Sequence, residues 1–273
     1  MIINGKAIAE EMLSELAIER KTFSKPPTLG IVICSRDTAT ESFVRIKASV
    51  AKRLDVTVIP ITLPENAATE AVISSVKQLA RECDGVIVQL PLPTGLDTEK
   101  ILAAIPAGRD VDAINPTIPA DKRTVRPPVA GAVAEILKRT GVVARDKHAV
   151  VVGEGMLVGA PCAALLRALG AKVIVITKET NSLHELERAD IIVSGAGVPG
   201  LIKPEMLKEG VVLIDAGTSE QAGKLTGDAD PACAEKSSVF TPVPGGVGPI
   251  AVATIFKNLF TLIKHPVVEV RSW

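Results

Sequence analysis

Tyrosine is absent from the 273-residue chain, tryptophan occurs once and phenylalanine five times, so aromatic side chains make up only 2% of it. Proteins that grip single-stranded nucleic acid stack bases on aromatic rings, and too few rings are present to build such a platform. Charge of one sign is not in surplus either: 31 Lys and Arg balance 31 Asp and Glu. Neutralising a phosphate backbone takes a basic excess, so nucleic acid is not an expected partner. No Cys-x-x-Cys spacing occurs. The four cysteines (Cys34, Cys83, Cys162, Cys233) and three histidines (His148, His184, His265) lie far apart. Ligands so scattered do not suggest a metal site, and buried reduced thiols are the expectation. A membrane span needs about 20 consecutive apolar residues, and no uninterrupted run reaches that length. The start, Met1-Ile-Ile-Asn-Gly-Lys6, leads into an amphipathic pattern without the basic-then-apolar order of a signal peptide. The expectation is a cytoplasmic protein with no nucleic-acid, metal or membrane partner.

What is present is a globular composition, 47% hydrophobic and 23% charged, in a chain long enough for one large domain or two ordinary ones. Short Val/Ile runs alternate with helical segments. Leu29–Cys34, Val56–Pro60 and Gly85–Leu90 read as strands, with helices over about 40–54 and 69–82 between them. Four more strands read from His148–Gly153, Lys172–Thr177, Ile191–Val193 and Val211–Asp215, and a final apolar helix from Ile250–Ile263. Continuous apolar strands bounded by helices indicate parallel sheets covered on both faces. Residues 114–128 are rich in proline and charge and weak in periodicity, which reads as a domain crossover. The expected fold is α/β, with two lobes and a cleft between them, the second Rossmann-like. Residues 1–118, completed by a C-terminal helix at 250–273, form one domain in this reading and 119–249 the other.

Chemistry-bearing residues concentrate where strands end. Gly153-Glu-Gly-Met-Leu-Val-Gly159 follows a strand and opens a helix, where glycines let the backbone approach a pyrophosphate at the helix N-terminus. A tight strand–helix turn without a ligand is the competing reading. Thr177-Lys-Glu-Thr180 ends the next strand, at the place that meets an adenosine ribose or its 2′-phosphate, and offers both Lys178 and Glu179. Thr241-Pro-Val-Pro-Gly-Gly-Val-Gly-Pro249 packs three prolines and three glycines into nine residues before an apolar helix, the pattern of a ligand-contacting loop. Thr40, Phe43 and Lys47 share a helix face, although a lone lysine there is most often a solvated charge. Gln89 at a strand's carboxyl end and Asp112 in a Pro-bounded loop lie where open α/β sheets put ligands, and where caps and turn residues also lie.

Together these segments resemble the methylenetetrahydrofolate dehydrogenase/methenyltetrahydrofolate cyclohydrolase family over nearly the whole chain. The blocks that carry the resemblance are Val88-Gln-Leu-Pro-Leu-Pro93, Asp110-Val-Asp112, Gly227-Asp228 and Thr241–Pro249. The resemblance implies a first lobe that binds folate and a second that binds NADP, with NAD as the alternative. It makes Lys47 the active-site lysine, Gln89 its partner and Asp112 the aspartate that holds the pterin. Phe43, Leu90, Pro91, Pro244 and Gly245 fall at substrate-facing positions, and Gly153, Glu154, Gly155, Lys178, Thr218 and Gly246 at cofactor-contacting ones. The chain departs from the family pattern at several sites. Phe43 replaces a tyrosine, Pro127-Pro-Val-Ala130 a Pro-Cys-Thr-Pro block, Gly153-Glu-Gly155 a Gly-Arg-Ser, Thr177-Lys178 a His-Ser, and Ile250-Ala251 a Met-Thr. The implied activities are oxidation of methylenetetrahydrofolate and hydrolysis of the methenyl product, the second weakened by Phe43. A non-catalytic folate- or nucleotide-binding paralogue is the alternative, and retention of Lys47, Gln89 and Asp112 speaks against it. A homodimer formed by the second lobe is implied as well, and Lys224-Leu-Thr-Gly227 could supply part of a small exposed strand pair.

Overall fold

A computed structural model describes residues 1–266 apart from Arg36, Asn181, Ala222 and Gly223. The chain divides into two compact units. One comprises Glu11–Pro127 with the segment from Ile255 on, and the other comprises Met1–Glu10 with Pro128–Thr254. Helix α1 (Gly5–Arg20) and the last long helix each lend residues to both. Residues 267–273, included in the expected C-terminal helix, lie outside the described residues.

The first unit runs through β1 (Thr28–Ile33), α2 (Thr38–Arg53), β2 (Thr57–Thr62), α3 (Thr69–Glu82), β3 (Gly85–Val88) and α4 (Thr98–Ala103). Its sheet has the order β2-β1-β3, all parallel. Leu29, Ile31, Val32, Val86, Ile87 and Val88 are buried, which is why β1 and β3 read as unbroken apolar runs. Helix α3 covers this sheet with Val72, Val76 and Leu79 at helical spacing. Helix α2 begins where Asp37 accepts hydrogen bonds from Thr40 N (2.8 Å) and Thr40 Oγ1 (2.7 Å). Thr40 is therefore buried in the cap of the helix rather than displayed on its face.

The crossover that shows no periodicity is held by side chains bonded to backbone instead. Asn115 Nδ2 donates to Ile105 O (2.7 Å), and Asn115 Oδ1 accepts from Thr117 N (2.8 Å). Arg123 donates to the carbonyls of Ala113, Asn115 and Ile118. These bonds satisfy backbone groups that no ladder reaches.

The second unit adds α5 (Pro128–Thr140), β4 (His148–Val152), α6 (Gly159–Ala168), β5 (Lys172–Ile176), β6 (Ile191–Ser194) and β7 (Val211–Asp215). There follow β8 (Ser219–Gln221), β9 (Lys224–Thr226), α7 (Cys233–Lys236), β10 (Ser237–Phe240) and α8 (Val247–Lys264). The five-stranded sheet has the order β10-β7-β6-β4-β5 and is parallel throughout. Strand β10 escapes the sequence reading because it opens on two serines and pairs irregularly between Ser237 and Val239. Strands β8 and β9 form a separate antiparallel pair.

All four cysteines are buried and unpaired in disulfides. By length and composition α8 could cross a membrane, although Lys257 and Asn258 interrupt its apolar run. Ile255, Phe256, Leu259 and Phe260 are nevertheless buried, and Phe23 meets Phe260 edge-on with centroids 5.0 Å apart. Buried Asn258 ties the helix to the first unit's loops, its Nδ2 donating to Val111 O (2.8 Å) and Arg126 O (2.7 Å). Val111 precedes Asp112, so this bond also anchors a candidate site residue. Removing it by Asn258→Ala orphans those two carbonyls and is expected to cost about 1–3 kcal/mol. A urea midpoint that does not move would contradict that expectation.

Candidate active site

In the first unit, helix α2 carries Phe43 and Lys47 one turn apart, and the carboxyl end of β3 delivers Gln89. Lys47 Nζ donates to Gln89 Oε1 over 2.7 Å. Gln89 Nε2 donates to Leu90 O over 2.7 Å, which leaves the amide oxygen turned toward the lysine. Gln89 is buried, and its backbone N–H continues the ladder onto Val32 O (2.9 Å). Burial holds Lys47 below the ordinary ammonium range, while the negative charge of Asp112 pulls it back up. Burial also pushes the Asp112 carboxyl up to about 6, opposed by the Lys47 charge and reinforced by Asp110.

Asp110 is buried and accepts a hydrogen bond from Asn115 N (2.8 Å). The turn continues through Ala113, whose φ of 51° lies in the left-handed region, with the Arg123 guanidinium on its carbonyl. Phe43 is 41% exposed, a flat apolar ring open to solvent. Leu90 is half-buried and Pro91 exposed. A lysine shifted toward its neutral form, a fixed amide oxygen and a carboxylate can move a proton and orient a polar ring.

In the second unit β4 lies between β5, at the sheet edge, and β6. Open sheets bind ligands at the carboxyl ends of strands where the order reverses in this way. The turn after β4 and the loop after β6 meet there. A Cβ on Gly153 (φ +92°) would lie 2.8 Å from Gly195 O, so only glycine fits. Around Gly155, by contrast, nothing among the described residues lies within 4 Å of where a Cβ would be, so no contact inside the chain demands glycine there. Helix α6 has Val158 at its N-cap with no side-chain cap bond. Ala160 N donates to Gly155 O (3.1 Å) and Pro161 carries no N–H, so the N–H of Gly159 is what the first turn offers an anion. These features fit a dinucleotide pyrophosphate.

Around them Glu154, Gly155, Lys178 and Thr218 are exposed. The Thr177 side chain, hydrogen-bonded to Glu179, holds that carboxyl below the usual range. In the proline–glycine loop Gly246 is buried, its N–H bonded to Pro242 O (2.8 Å), while Gly245 takes φ +105° and Pro244 is exposed. Lys47, Gln89, Asp112, Phe43, Leu90 and Pro91 thus belong to the three-stranded unit. Pro244, Gly245 and all the expected cofactor residues belong to the five-stranded one.

Sequence reasoning passed over two buried aspartates, Asp215 and Asp228, that bond the loops at this sheet end. The one signal for them was the Gly227-Asp228 pair, to which no role attached. No cluster of metal-ligating side chains occurs among the described residues.

The tetrahydrofolate dehydrogenase/cyclohydrolase catalytic-domain model matches residues 3–112, and the NAD(P)-binding-domain model of the same family matches 127–267. The chain belongs to this family. It is 38% identical to the bifunctional protein FolD of Methanoculleus marisnigri over 97% of this chain and 96% of that protein. It is also 37% identical to that of Halothermothrix orenii, over 97% and 98%. Among solved structures, it superposes on the Trypanosoma brucei FolD, complexed with NADP cofactor and inhibitor, with a TM-score of 0.91. The identity there is 33%, covering 98% of this chain and 99% of that one. The Campylobacter jejuni FolD gives 0.91 at 29% identity, covering 97% and 99%.

Within this dehydrogenase/cyclohydrolase two carboxyls stand out electrostatically, Asp112 and Asp215, each raised from 3.8 to about 6 chiefly by burial. The folded state binds their protons more tightly than the unfolded chain does. The stability each contributes is therefore full below about 3.8 and is lost as pH rises through about 6. Carboxyl-carbon NMR should show two aspartates titrating near 6, one vanishing in Asp112→Asn and the other in Asp215→Asn. Finding both at ordinary aspartate values would refute this.

Proposed function

We propose that the protein oxidises methylenetetrahydrofolate to methenyltetrahydrofolate with NADP and hydrolyses that product to formyltetrahydrofolate in the cytoplasm. The observation that carries the reading is the 2.7 Å bond from Lys47 Nζ to Gln89 Oε1 beside a carboxyl at Asp112. The three-stranded unit takes the folate. Asp112 accepts two hydrogen bonds from the pterin's amino and ring N–H groups, a bidentate fit that sets orientation. The exposed Phe43 ring offers a stacking face, and Leu90 and Pro91 border the substrate.

The five-stranded unit takes NADP, which when bound supplies the hydride acceptor. Gly153 and Gly155 with the α6 N-terminus hold its pyrophosphate. Glu154 stands beside the adenosine ribose and repels a 2′-phosphate, Lys178 meets that phosphate, and Thr218 and Gly246 border the nicotinamide. Oxidation needs no proton transfer from the protein, because a folate nitrogen lone pair drives hydride loss from the methylene carbon. The chain's task in that step is alignment. Hydrolysis is different. Neutral Lys47 takes a proton from the water that adds to the methenyl carbon, and the resulting ammonium returns it to the ring nitrogen as the carbon–nitrogen bond breaks. The hydroxyl left on the carbon gives its own proton to solvent and becomes the formyl carbonyl. Gln89 holds Lys47 in reach while burial shifts it toward the neutral form.

Phe43 keeps the stacking surface but has no hydroxyl with which to hold the lysine. Oxidation should therefore be strong and hydrolysis weakened by part of the ~10²–10⁴-fold that acid–base catalysis supplies. Both rates, measured in the wild type and in Phe43→Tyr, test this. The tyrosine should raise hydrolysis more than oxidation, and NADP should outperform NAD in the oxidation assay. Equal changes in the two rates, or no turnover with either nucleotide, would overturn the reading.

A homodimer built by the five-stranded unit completes the proposal. The β8–β9 pair supports it, with Leu225 left 43% exposed on a short free-edged ribbon. Light scattering at micromolar concentration should return twice the 28.5 kDa chain mass. A monomer mass would rule the dimer out.

A further inference from the structure

Asp228 is fully buried and carries three hydrogen bonds from uncharged donors. Ser194 Oγ (2.6 Å) and Ala196 N (2.7 Å) donate to its Oδ2, and Val198 N (2.8 Å) donates to its Oδ1. The first donor ends β6 and the other two lie in the loop that follows it. That loop meets the turn after β4: a Cβ on Gly195 would fall 2.2 Å from Val158 Cγ1, and one on Gly153 would fall 2.8 Å from Gly195 O.

Asp215, also buried, does the corresponding work at the end of β7. Its Oδ1 accepts from Gly217 N (2.9 Å) and its Oδ2 from Ala229 N (2.8 Å). The two carboxylates are interlocked through glycines. A Cβ on Gly217 would lie 2.2 Å from the Asp228 carboxylate, and one on Gly227 would lie 2.1 Å from Asp215 Oδ2. Gly217 is thus fixed from both sides, and Thr218 follows it directly.

We infer that Asp228, with Asp215 beside it, is a positioning residue for the dinucleotide. Its carboxylate sets the loop after β6 against the turn after β4, and it floors the turn that presents Thr218. This rests on the proposed NADP site. It goes beyond that site because neither aspartate touches the cofactor in the proposed binding mode. Only a carboxylate offers acceptors on both oxygens. An asparagine must turn an N–H₂ toward at least one of the three N–H or O–H donors and leave that donor unsatisfied.

Asp228→Asn and Gly217→Ala, the latter pressing a methyl into the carboxylate without changing charge, test the inference by calorimetric titration with NADP. Both activities are measured in the same preparations, hydrolysis without nucleotide. Each variant should raise the NADP dissociation constant by about tenfold or more, while nucleotide-free hydrolysis changes far less. Hydrolysis and oxidation falling in parallel, or an unmoved dissociation constant, would overturn it. If both variants misfold, Ser194→Ala removes a single donor and should raise the constant by about threefold, and no rise would again overturn it. A wild type that binds NADP but turns over neither folate substrate would refute the proposed activities and leave this inference standing or falling on the titration.

Discussion

One hydrogen bond organises the proposed site: Lys47 Nζ to Gln89 Oε1, 2.7 Å. It joins a helix to the carboxyl end of a strand and holds an amine where burial disfavours its charge. An ammonium in water would be useless as a base near neutral pH, and an unheld lysine would swing through many rotamers. Gln89 fixes the lysine without adding a charge. It can do so because its own amide N–H₂ is committed to Leu90 O. Asp112 then acts in the opposite direction, drawing the amine back toward its protonated form, while its own carboxyl is raised to about 6. Burial is the larger cause for both groups, and each charge moves the other's proton affinity back toward its ordinary value.

The fold was largely legible because parallel sheets buried on both faces leave an unmistakable trace. Leu29–Ile33, Gly85–Val88, Ile191–Val193 and Val211–Asp215 are apolar runs of strand length between helices, and the structure makes each of them a parallel strand. Strand β10 was not legible, since Ser237 and Ser238 interrupt the pattern and its pairing slips. The crossover at 114–128 carried no periodicity, because Asn115 and Arg123 hold it by bonds from side chain to carbonyl. Bonds of that kind have no repeat to read. Thr40, Phe43 and Lys47 all lie within α2, and the Thr40 hydroxyl also serves the cap at Asp37. Helical spacing marks a shared face and cannot say where the helix begins.

The site divides in the same way. Gln89 and Asp112 could be singled out by position, at a strand end and in a Pro-bounded loop, yet position did not separate ligand contact from capping. In the structure Gln89 accepts a bond from Lys47. Gly155 is informative in the opposite sense, because no described atom explains why glycine stands there. Asp215 and Asp228 were illegible as functional residues. Their significance lies in which backbone N–H groups they receive and in two glycines packed against them, and both are facts of tertiary structure. Burying two carboxylates side by side is costly. Backbone and hydroxyl donors compensate, and the same bonds give the loops at the sheet's end a single shape.

The central claim is that Lys47 moves the proton of ring opening and has no part in hydride transfer. Replacing Lys47 by methionine keeps the length and removes the amine. Single-turnover rates for both reactions, taken on that variant at saturating substrate and NADP, separate the two roles. Hydrolysis should fall by about 10²–10⁴-fold while hydride transfer drops far less. If both rates fall by the same factor, or hydrolysis survives intact, Lys47 is not the proton carrier described here.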